Sequence, residues 1–222
     1  MEPTATAHRA WDARWQTAAG RAQWLDADPD VAAAAEALAG RGGGRVLDLG
    51  CGVGRHALVF AALGLETFAL DGSAAGLAHL DDCARTGGLR VETCLGQMTE
   101  LPFPEAFFDY LLAFNVIYHG DPGVVRQTIA EIRRVLKPGG LYQGTMLSKR
   151  NEKFGRGREI APDTFVIDGE EEKSHAHFYC NAGELVGLFE GFELLALEDR
   201  EHGTPGSWHW HLKAERLAEA GG

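Results

Sequence analysis

Short apolar runs alternate with stretches of helical spacing through most of the chain. The first run leads into Gly50, Gly52 and Gly54, and helical spacing follows from Arg55, which predicts a strand, a glycine turn and a helix. The same alternation predicts five strands, at residues 45–49, 65–70, 89–95, 108–114 and 141–147. Helices are predicted between them, at residues 55–63, 73–86 and 122–136. This alternation indicates a parallel sheet with helices on both faces.

The chain changes character after the fifth predicted strand. Residues 148–180 are polar, charged and glycine-rich, and they predict a long loop insertion. A helix is predicted at residues 181–190 with Asn181 as its N-cap, and strands at 192–198 and 207–215 form a hairpin. The fold class is therefore α/β, a doubly wound seven-stranded sheet that is mostly parallel with a C-terminal antiparallel hairpin. Residues 1–222 are predicted to form a single domain, since no repeat or linker interrupts them.

Tryptophans mark the N-terminal segment. Trp11, Trp15 and Trp24 stand among good helix formers, and residues 11–25 predict a short amphipathic helix. A second helix is predicted to begin after Asp28, its N-cap, with proline at the first helical position. Two interpretations of the tryptophans stay open: they pack on the domain, or residues 1–40 form a helical lid over a ligand site.

Composition narrows the range of partners. Asp and Glu number 32 against 21 Lys and Arg, so the formal net charge is −11 and the isoelectric point is near 5.2. Because nucleic-acid binding needs a basic face, we expect no nucleic-acid partner. No apolar stretch approaches the roughly 18 residues of a membrane span, and no secretion leader is recognised at the N-terminus. Four widely spaced cysteines predict reduced thiols, and we expect a cytoplasmic monomer or homodimer that does not contact membranes.

The glycine turn and an aspartate together indicate a ligand. Glycines let the backbone approach a ligand closely and present N–H groups at a helix N-terminus. Asp71 ends the second predicted strand, about 20 residues after the turn, where a carboxylate can accept hydrogen bonds from ribose hydroxyls. The alternative is that Asp71 is the N-cap of the next helix. The combination favours a nucleotide-like cofactor.

Four segments of the sequence carry a family resemblance. They are VLDLGCGVGR at residues 46–55, Asp71, the run from Gly96 to His119, and LKPGGLY at residues 136–142. Together they resemble class I S-adenosylmethionine-dependent methyltransferases of the small-molecule type, with the first half most similar to tellurite-resistance and thiol methyltransferases. The resemblance implies a Rossmann-like fold and S-adenosylmethionine as the cofactor. The GxGxG spacing and LKPGG make a nicotinamide-dependent oxidoreductase a poor alternative.

The resemblance also implies roles for particular residues. Asp48, Gly50 and Gly52 would surround the methionine part of the cofactor, and Asp71 would hold the ribose. Gln97 stands where many members have Asp or Glu, and its amide oxygen is still an acceptor for the adenine amino group. The cofactor contacts predicted in this way are Trp15, Asp48, Gly50, Cys51, Gly52, Gly54, Asp71, Gly72, Gln97, Met98 and Asn115. Asn115 would lie beneath the methionine moiety, close to the transferred methyl group.

Nine histidines suggest how an acceptor could be activated. The sulfonium cofactor already carries an activated methyl group, so the protein mainly aligns an S, N, O or chalcogen nucleophile for in-line displacement. A general base helps when that nucleophile carries a proton. The predicted catalytic residues are His119, His177, His209 and Tyr118, with residues 148–180 on the acceptor side.

The histidines also allow a metal interpretation, because His175 and His177 alternate, as do His209 and His211, and alternate residues of an extended segment point the same way. We expect no metal from the sequence. A metal-assisted methyltransferase that uses the histidine cluster stays an alternative. So does a protein that binds S-adenosylmethionine as a sensor without turnover.

Overall fold

The computed structural model describes residues 4–170 and 173–218. The strands within this part are β1 (Arg45–Leu49), β2 (Glu66–Asp71), β3 (Val91–Leu95), β4 (Phe108–Ala113), β5 (Leu136–Ser148), β6 (Arg158–Ala161), β7 (Thr164–Val166), β8 (His177–Cys180), β9 (Phe192–Glu201) and β10 (Trp208–Arg216). The α-helices are α1 (Ala7–Trp15), α2 (Ala18–Arg21), α3 (Pro29–Gly40), α4 (Arg55–Ala62), α5 (Ala74–Gly87), α6 (Pro122–Val135) and α7 (Ala182–Leu188), with a short 3₁₀ helix at Ala22–Trp24.

Seven strands form the central sheet in the order β3-β2-β1-β4-β5-β10-β9. The first five are parallel, and β10 lies antiparallel between β5 and β9. Leu47 of β1 pairs with Phe68 of β2 on one side and with Leu111 of β4 on the other. This arrangement confirms the predicted fold class. It also brings the carboxyl ends of β1, β2 and β4 to one edge, where open parallel sheets bind their ligands.

Helices cover both faces of the sheet. Ile129 of α6 belongs to the buried cluster that contains Leu47, whereas Val31 of α3 and Phe60 of α4 pack in the cluster that contains Val46. Successive residues of a strand point to opposite faces, so β1 is buried on both sides. Apart from Arg45 and Asp48, its residues are apolar, as expected of such a strand.

Strand β5 is longer than the predicted 141–147. It begins at Leu136, directly after α6, and Leu136 pairs with Phe108. The register shifts before Tyr110 pairs with Leu141, and Gly139 within the shifted part has a φ of 78°. The KPGG segment therefore ends the helix, as predicted, and at the same time begins the strand.

The loop predicted at residues 148–180 is wrong in part, because it contains β6, β7 and β8. Strand β8 lies parallel to the end of β5, where Leu147 pairs with Tyr179, and β7 and β6 follow it antiparallel. Strand β4 ends before this point, so the free side of β5 is open to β8. These strands have only three or four residues each, too few to stand out within a polar segment.

The single helix predicted at residues 11–25 is also wrong. The chain breaks after Trp15, and the Thr17 hydroxyl accepts the Gly20 N–H to start α2. Helix α1 is held on α5 by Asp12, whose Oδ1 accepts hydrogen bonds from Ser73 Oγ at 2.8 Å and from the Ala75 N–H at 2.9 Å. Whether residues 1–40 act as a lid stays a prediction.

The longest helices that the structure describes, α5 and α6, have 14 residues each. Within residues 4–170 and 173–218, no helix combines the length and the apolar character that crossing a membrane requires.

Candidate functional site

A cleft that is partly open to solvent lies at the carboxyl ends of β1, β2 and β4 beneath α1. The predicted residues that line the cleft are Trp15, Gly50, Cys51, Gly52, Asp71, Gly72, Gln97, Met98, Asn115 and His119. The structure therefore brings most of the predicted cofactor contacts together with one of the predicted catalytic residues.

The three glycines of the turn have different surroundings. All three have positive φ, between 54° and 85°. A Cβ on Gly50 would lie 1.9 Å from Val116, and one on Gly54 would lie 2.3 Å from Leu80 of α5. A Cβ on Gly52 would point to the cleft and meet the Trp15 ring at 3.2 Å. Gly54 is thus required for packing against α5. It does not line the cleft, so its predicted contact with the cofactor is not found in this arrangement.

Asp71 closes the end of β2 against the turn. Its Oδ2 accepts the Gly52 N–H and its Oδ1 accepts the Ser73 N–H, both at 2.7 Å. Burial raises the pKa of Asp71, while these two hydrogen bonds act in the opposite direction. The alternative that Asp71 is the N-cap of the following helix is wrong, because Ser73 Oγ accepts the Gly76 N–H and is the N-cap of α5.

Asp48 lies behind the turn. Its side chain is buried, and its Oδ2 accepts the Ala57 N–H of α4 at 3.1 Å. Burial raises the pKa of Asp48 to about 7, against the opposing effects of this hydrogen bond and of Arg55. Asp48 is not among the cleft-lining residues, so in this arrangement it anchors α4 and does not reach the cleft.

The other predicted cofactor residues lie further along the cleft. Gln97 and Met98 line it together with Gly72, and a Cβ on Gly72 would lie 2.6 Å from the His8 Cβ and 3.3 Å from Gln97 Nε2. The close approach of His8 explains why glycine follows Asp71. His8 was not predicted, since a histidine in a polar N-terminal segment carries no sequence signal.

A tryptophan cluster, formed by Trp11, Trp15 and Trp24, covers the cleft. The Trp11 and Trp15 rings stack with centroids 5.0 Å apart, and Trp24 meets both rings edge-on. Arg55 lies over the Trp24 ring at 5.3 Å. All three tryptophans and Arg55 line the cleft, so the tryptophans pack on the domain and also face the ligand space.

Asn115 and His119 form the far end of the cleft. Asn115 has a left-handed φ of 61°, and its Oδ1 accepts a hydrogen bond from Thr145 Oγ1 at 2.9 Å. Its side-chain nitrogen, Nδ2, lies 3.1 Å from His202 Nε2. The His119 Nε2–H donates to the Asn115 carbonyl at 3.1 Å, and its Nδ1 lies 3.0 Å from His175 Nε2. Thr145 and His202 were missed because they reach this site from β5 and from the β9–β10 turn.

The other predicted catalytic residues surround His119 without lining the cleft. The centroid of the Tyr118 ring lies 4.6 Å from that of His119. Its distances to the rings of His177 and His209 are 6.1 and 6.0 Å. The Nδ1–H of His177 donates to the His175 carbonyl, and that of His209 donates to the Ser207 carbonyl. Their predicted contact with the reacting groups is therefore not direct in this arrangement.

Burial keeps these histidines neutral at pH 7. It lowers the pKa of His119 and His177 well below the ordinary value, and it lowers the pKa of His175 to about 4 and that of His209 to about 3. The nearby positive charge of Lys173 acts in the same direction on all four.

Comparisons with known proteins agree with this geometry. Residues 46–140 match a family described as a methyltransferase domain. A putative methyltransferase of Encephalitozoon cuniculi is 32% identical over 72% of each chain. A probable S-adenosylmethionine-dependent methyltransferase of Mycolicibacterium smegmatis is 35% identical over 75% of this chain and 64% of its own length. The chain spans only about half the length of the fungal sterol 24-C-methyltransferases that it also matches, which it covers at 46–47%.

Solved structures show the same fold at low identity. An S-adenosylmethionine-dependent methyltransferase of Methanosarcina mazei has a TM-score of 0.72 at 21% identity, covering 88% of this chain and all of that one. The 1,6-didemethyltoxoflavin-N1-methyltransferase of Burkholderia thailandensis, solved with bound 1,6-didemethyltoxoflavin and S-adenosylhomocysteine, has a TM-score of 0.67 at 23% identity, covering 98% of this chain and 93% of that one.

The chain belongs to the family of S-adenosylmethionine-dependent methyltransferases. It is an enzyme of the methyl-transfer type, and S-adenosylmethionine is its cofactor.

Proposed function

We propose that the acceptor is a small molecule, bound in the cleft between the tryptophan cluster and His119. The observation that carries this proposal is that one cleft joins the Asp71 end to the His119 end. Because α1 and the tryptophans cover the cleft, the space is suited to a small acceptor and poorly suited to a macromolecular surface. The small-molecule substrate of the Burkholderia enzyme agrees with this proposal.

The residues of the cleft fit the cofactor. After accepting two backbone N–H groups, the Asp71 carboxylate still has lone pairs for ribose hydroxyls. Gly52 leaves the room that a side chain would fill, and the Gln97 amide oxygen is an acceptor for an amino group. When bound, the cofactor supplies a methyl group whose bond to the sulfonium sulfur breaks as the bond to the acceptor forms, and the sulfur keeps the electron pair.

The chain's own contribution is alignment and exclusion of water. Trp11, Trp15, Phe114 and Val116 give the cleft apolar walls. Both nitrogens of His119 are already hydrogen-bonded, so the base role predicted for it would require one of these bonds to break. A thiolate has no proton to lose, and a neutral amine can release its proton to solvent after methyl transfer, so neither needs such a base. We therefore propose a thiolate or a neutral amine as the nucleophile, ahead of an alcohol or a phenol.

The test is a panel of thiols, amines, phenols and carboxylates, each incubated with the protein and S-adenosylmethionine while release of S-adenosylhomocysteine is measured. We expect release with thiols or amines. The Asp71→Asn variant should weaken cofactor binding and lower turnover. Asp82→Asn is the matched control, since this exposed carboxylate on α5 bonds only its neighbour Arg85 among the described residues.

Two outcomes would contradict the proposal. Calorimetric binding of S-adenosylmethionine without release against the whole panel would favour the sensor alternative. Release with phenols or carboxylates alone would refute the assignment of a thiolate or amine nucleophile.

A further inference from the structure

Three buried imidazoles meet beside the cleft. The rings of His119, His175 and His177 form a triangle with centroid distances of 4.8, 4.8 and 4.5 Å. One nitrogen of each lies within 4.8 Å of the corresponding nitrogens of the other two. Among the described residues, this is the one group of three or more histidine, cysteine or acidic side chains with such spacing. We call it the histidine triad.

The hydrogen bonds show where the lone pairs are. His119 donates from Nε2 to the Asn115 carbonyl, so its Nδ1 carries a lone pair, to which the His175 Nε2–H donates. His177 donates from Nδ1, so its Nε2 carries a lone pair. The remaining nitrogen, Nδ1 of His175, is buried without a hydrogen-bond partner in the part of the chain that the structure describes. Ligation of an ion through His175 Nε2 would move the imidazole proton to this Nδ1 and would replace the hydrogen bond to His119 Nδ1 with a shared ion.

The geometry points to a binding site for one divalent transition-metal ion, held by His119, His175 and His177 through one nitrogen each. Zinc ligands of this kind lie about 2.0–2.1 Å from the ion, which puts tetrahedral nitrogens roughly 3.3 Å apart. His119 Nδ1 and His175 Nε2 are already 3.0 Å apart, so two of the three ligands need little movement. Three neutral nitrogens without a carboxylate favour Zn²⁺ over Mg²⁺ or Ca²⁺.

A positive charge near the histidine triad affects its affinity for a metal ion. Lys173 is close enough to lower the pKa of all three imidazoles, so it also opposes a bound cation. We therefore expect weaker binding than at structural zinc sites.

Three protein ligands leave a coordination position open, as in catalytic zinc sites. Because His119 also lines the cleft, an ion in the triad would border the acceptor space. There it could bind the heteroatom of a thiol acceptor and favour release of its proton to solvent. This last step rests on the proposed function, whereas metal binding itself does not.

The experiment is titration of the untagged protein with Zn²⁺ alone against a competing indicator, with metal content measured after dialysis. We expect one ion per chain, and a loss of affinity of about 100-fold or more in His175→Gln and in His177→Gln. His211→Gln is the matched control. This histidine also belongs to an alternating pair, but the Arg200 guanidinium donates to its Nδ1 and places a cation beside it.

Titration with Co²⁺ supplies a second readout, because nitrogen ligation in a tetrahedral site produces strong visible absorption. This readout uses the wild-type protein and stands even if a variant fails to fold. Three outcomes would overturn the site. They are the absence of stoichiometric metal binding, an equal loss of metal affinity in His211→Gln, and full metal binding in both His175→Gln and His177→Gln. Normal metal binding without methyl transfer to any acceptor would leave the site intact and contradict the proposed function alone.

Discussion

Removing the side-chain hydroxyl should change the stability of the protein in opposite directions at two buried tyrosines on neighbouring strands. Tyr142 of β5 is fully buried, with the ring of Phe189, the residue after α7, 5.2 Å away, and its hydroxyl has no hydrogen-bond partner among the described residues. Tyr110 of β4 is 4% exposed, and its hydroxyl donates to Gln143 Oε1 at 3.0 Å. Replacement of either tyrosine by phenylalanine removes one oxygen and leaves the ring in place.

The magnitudes follow from hydrogen bonding. An unpartnered buried hydroxyl costs about 1–3 kcal/mol, and its removal leaves a void smaller than a methyl group, so Tyr142→Phe should raise the free energy of unfolding by about 1 kcal/mol. Tyr110→Phe deletes a hydrogen bond and leaves the Gln143 amide oxygen buried without it. We expect that variant to lower the free energy of unfolding by about 1–2 kcal/mol.

The assay is urea unfolding followed by circular dichroism, with the free energies of unfolding of wild type and the two variants compared at a common m value. In a thermal scan, the melting temperature should rise for Tyr142→Phe and fall for Tyr110→Phe, by about 2–4 °C per kcal/mol. Cofactor affinity should stay unchanged in Tyr142→Phe, since this residue does not line the cleft. A loss of stability in Tyr142→Phe as large as that in Tyr110→Phe would refute the reasoning.

Three further predictions concern the glycine turn and the two aspartates beside it. Asp71→Asn should weaken S-adenosylmethionine binding by about 10- to 100-fold in calorimetry, because it loses a charge-assisted acceptor, and unchanged affinity would contradict its role. Gly52→Ala should weaken cofactor binding, whereas Gly88→Ala, with similar φ of 66° but no atom within 4 Å of its Cβ, should cost stability only. Burial raises the pKa of Asp48 to about 7, so the folded protein binds the proton more tightly than the unfolded chain, and this carboxyl destabilises the fold as pH rises from about 4 to 7. The stability of Asp48→Asn relative to wild type should therefore increase by about 2–4 kcal/mol between pH 4 and pH 8 in urea unfolding, and a difference that does not change with pH would show that Asp48 titrates normally.

Local sequence patterns determined the central sheet and the cofactor end of the site. Apart from Arg45 at its start and Asp48, β1 is apolar because it is buried on both faces, and the glycines stand where the backbone has positive φ. The position of Asp71 at the tip of β2 follows from the length of one strand–helix–strand unit. Each of these features depends on residues that are near one another in the sequence, so periodicity and turn chemistry were sufficient to predict them.

Only the tertiary structure decided the acceptor end. Strands β6, β7 and β8 are too short to be stable alone, and they form because the edge of β5 extends beyond β4. That addition carries His175 to His119, 56 residues earlier in the chain, while His211 goes to Arg200 instead. The spacing of alternating histidines indicated which residues could act together on one strand. It could not indicate which partners they would meet, because contacts between distant segments depend on where the sheet has a free edge.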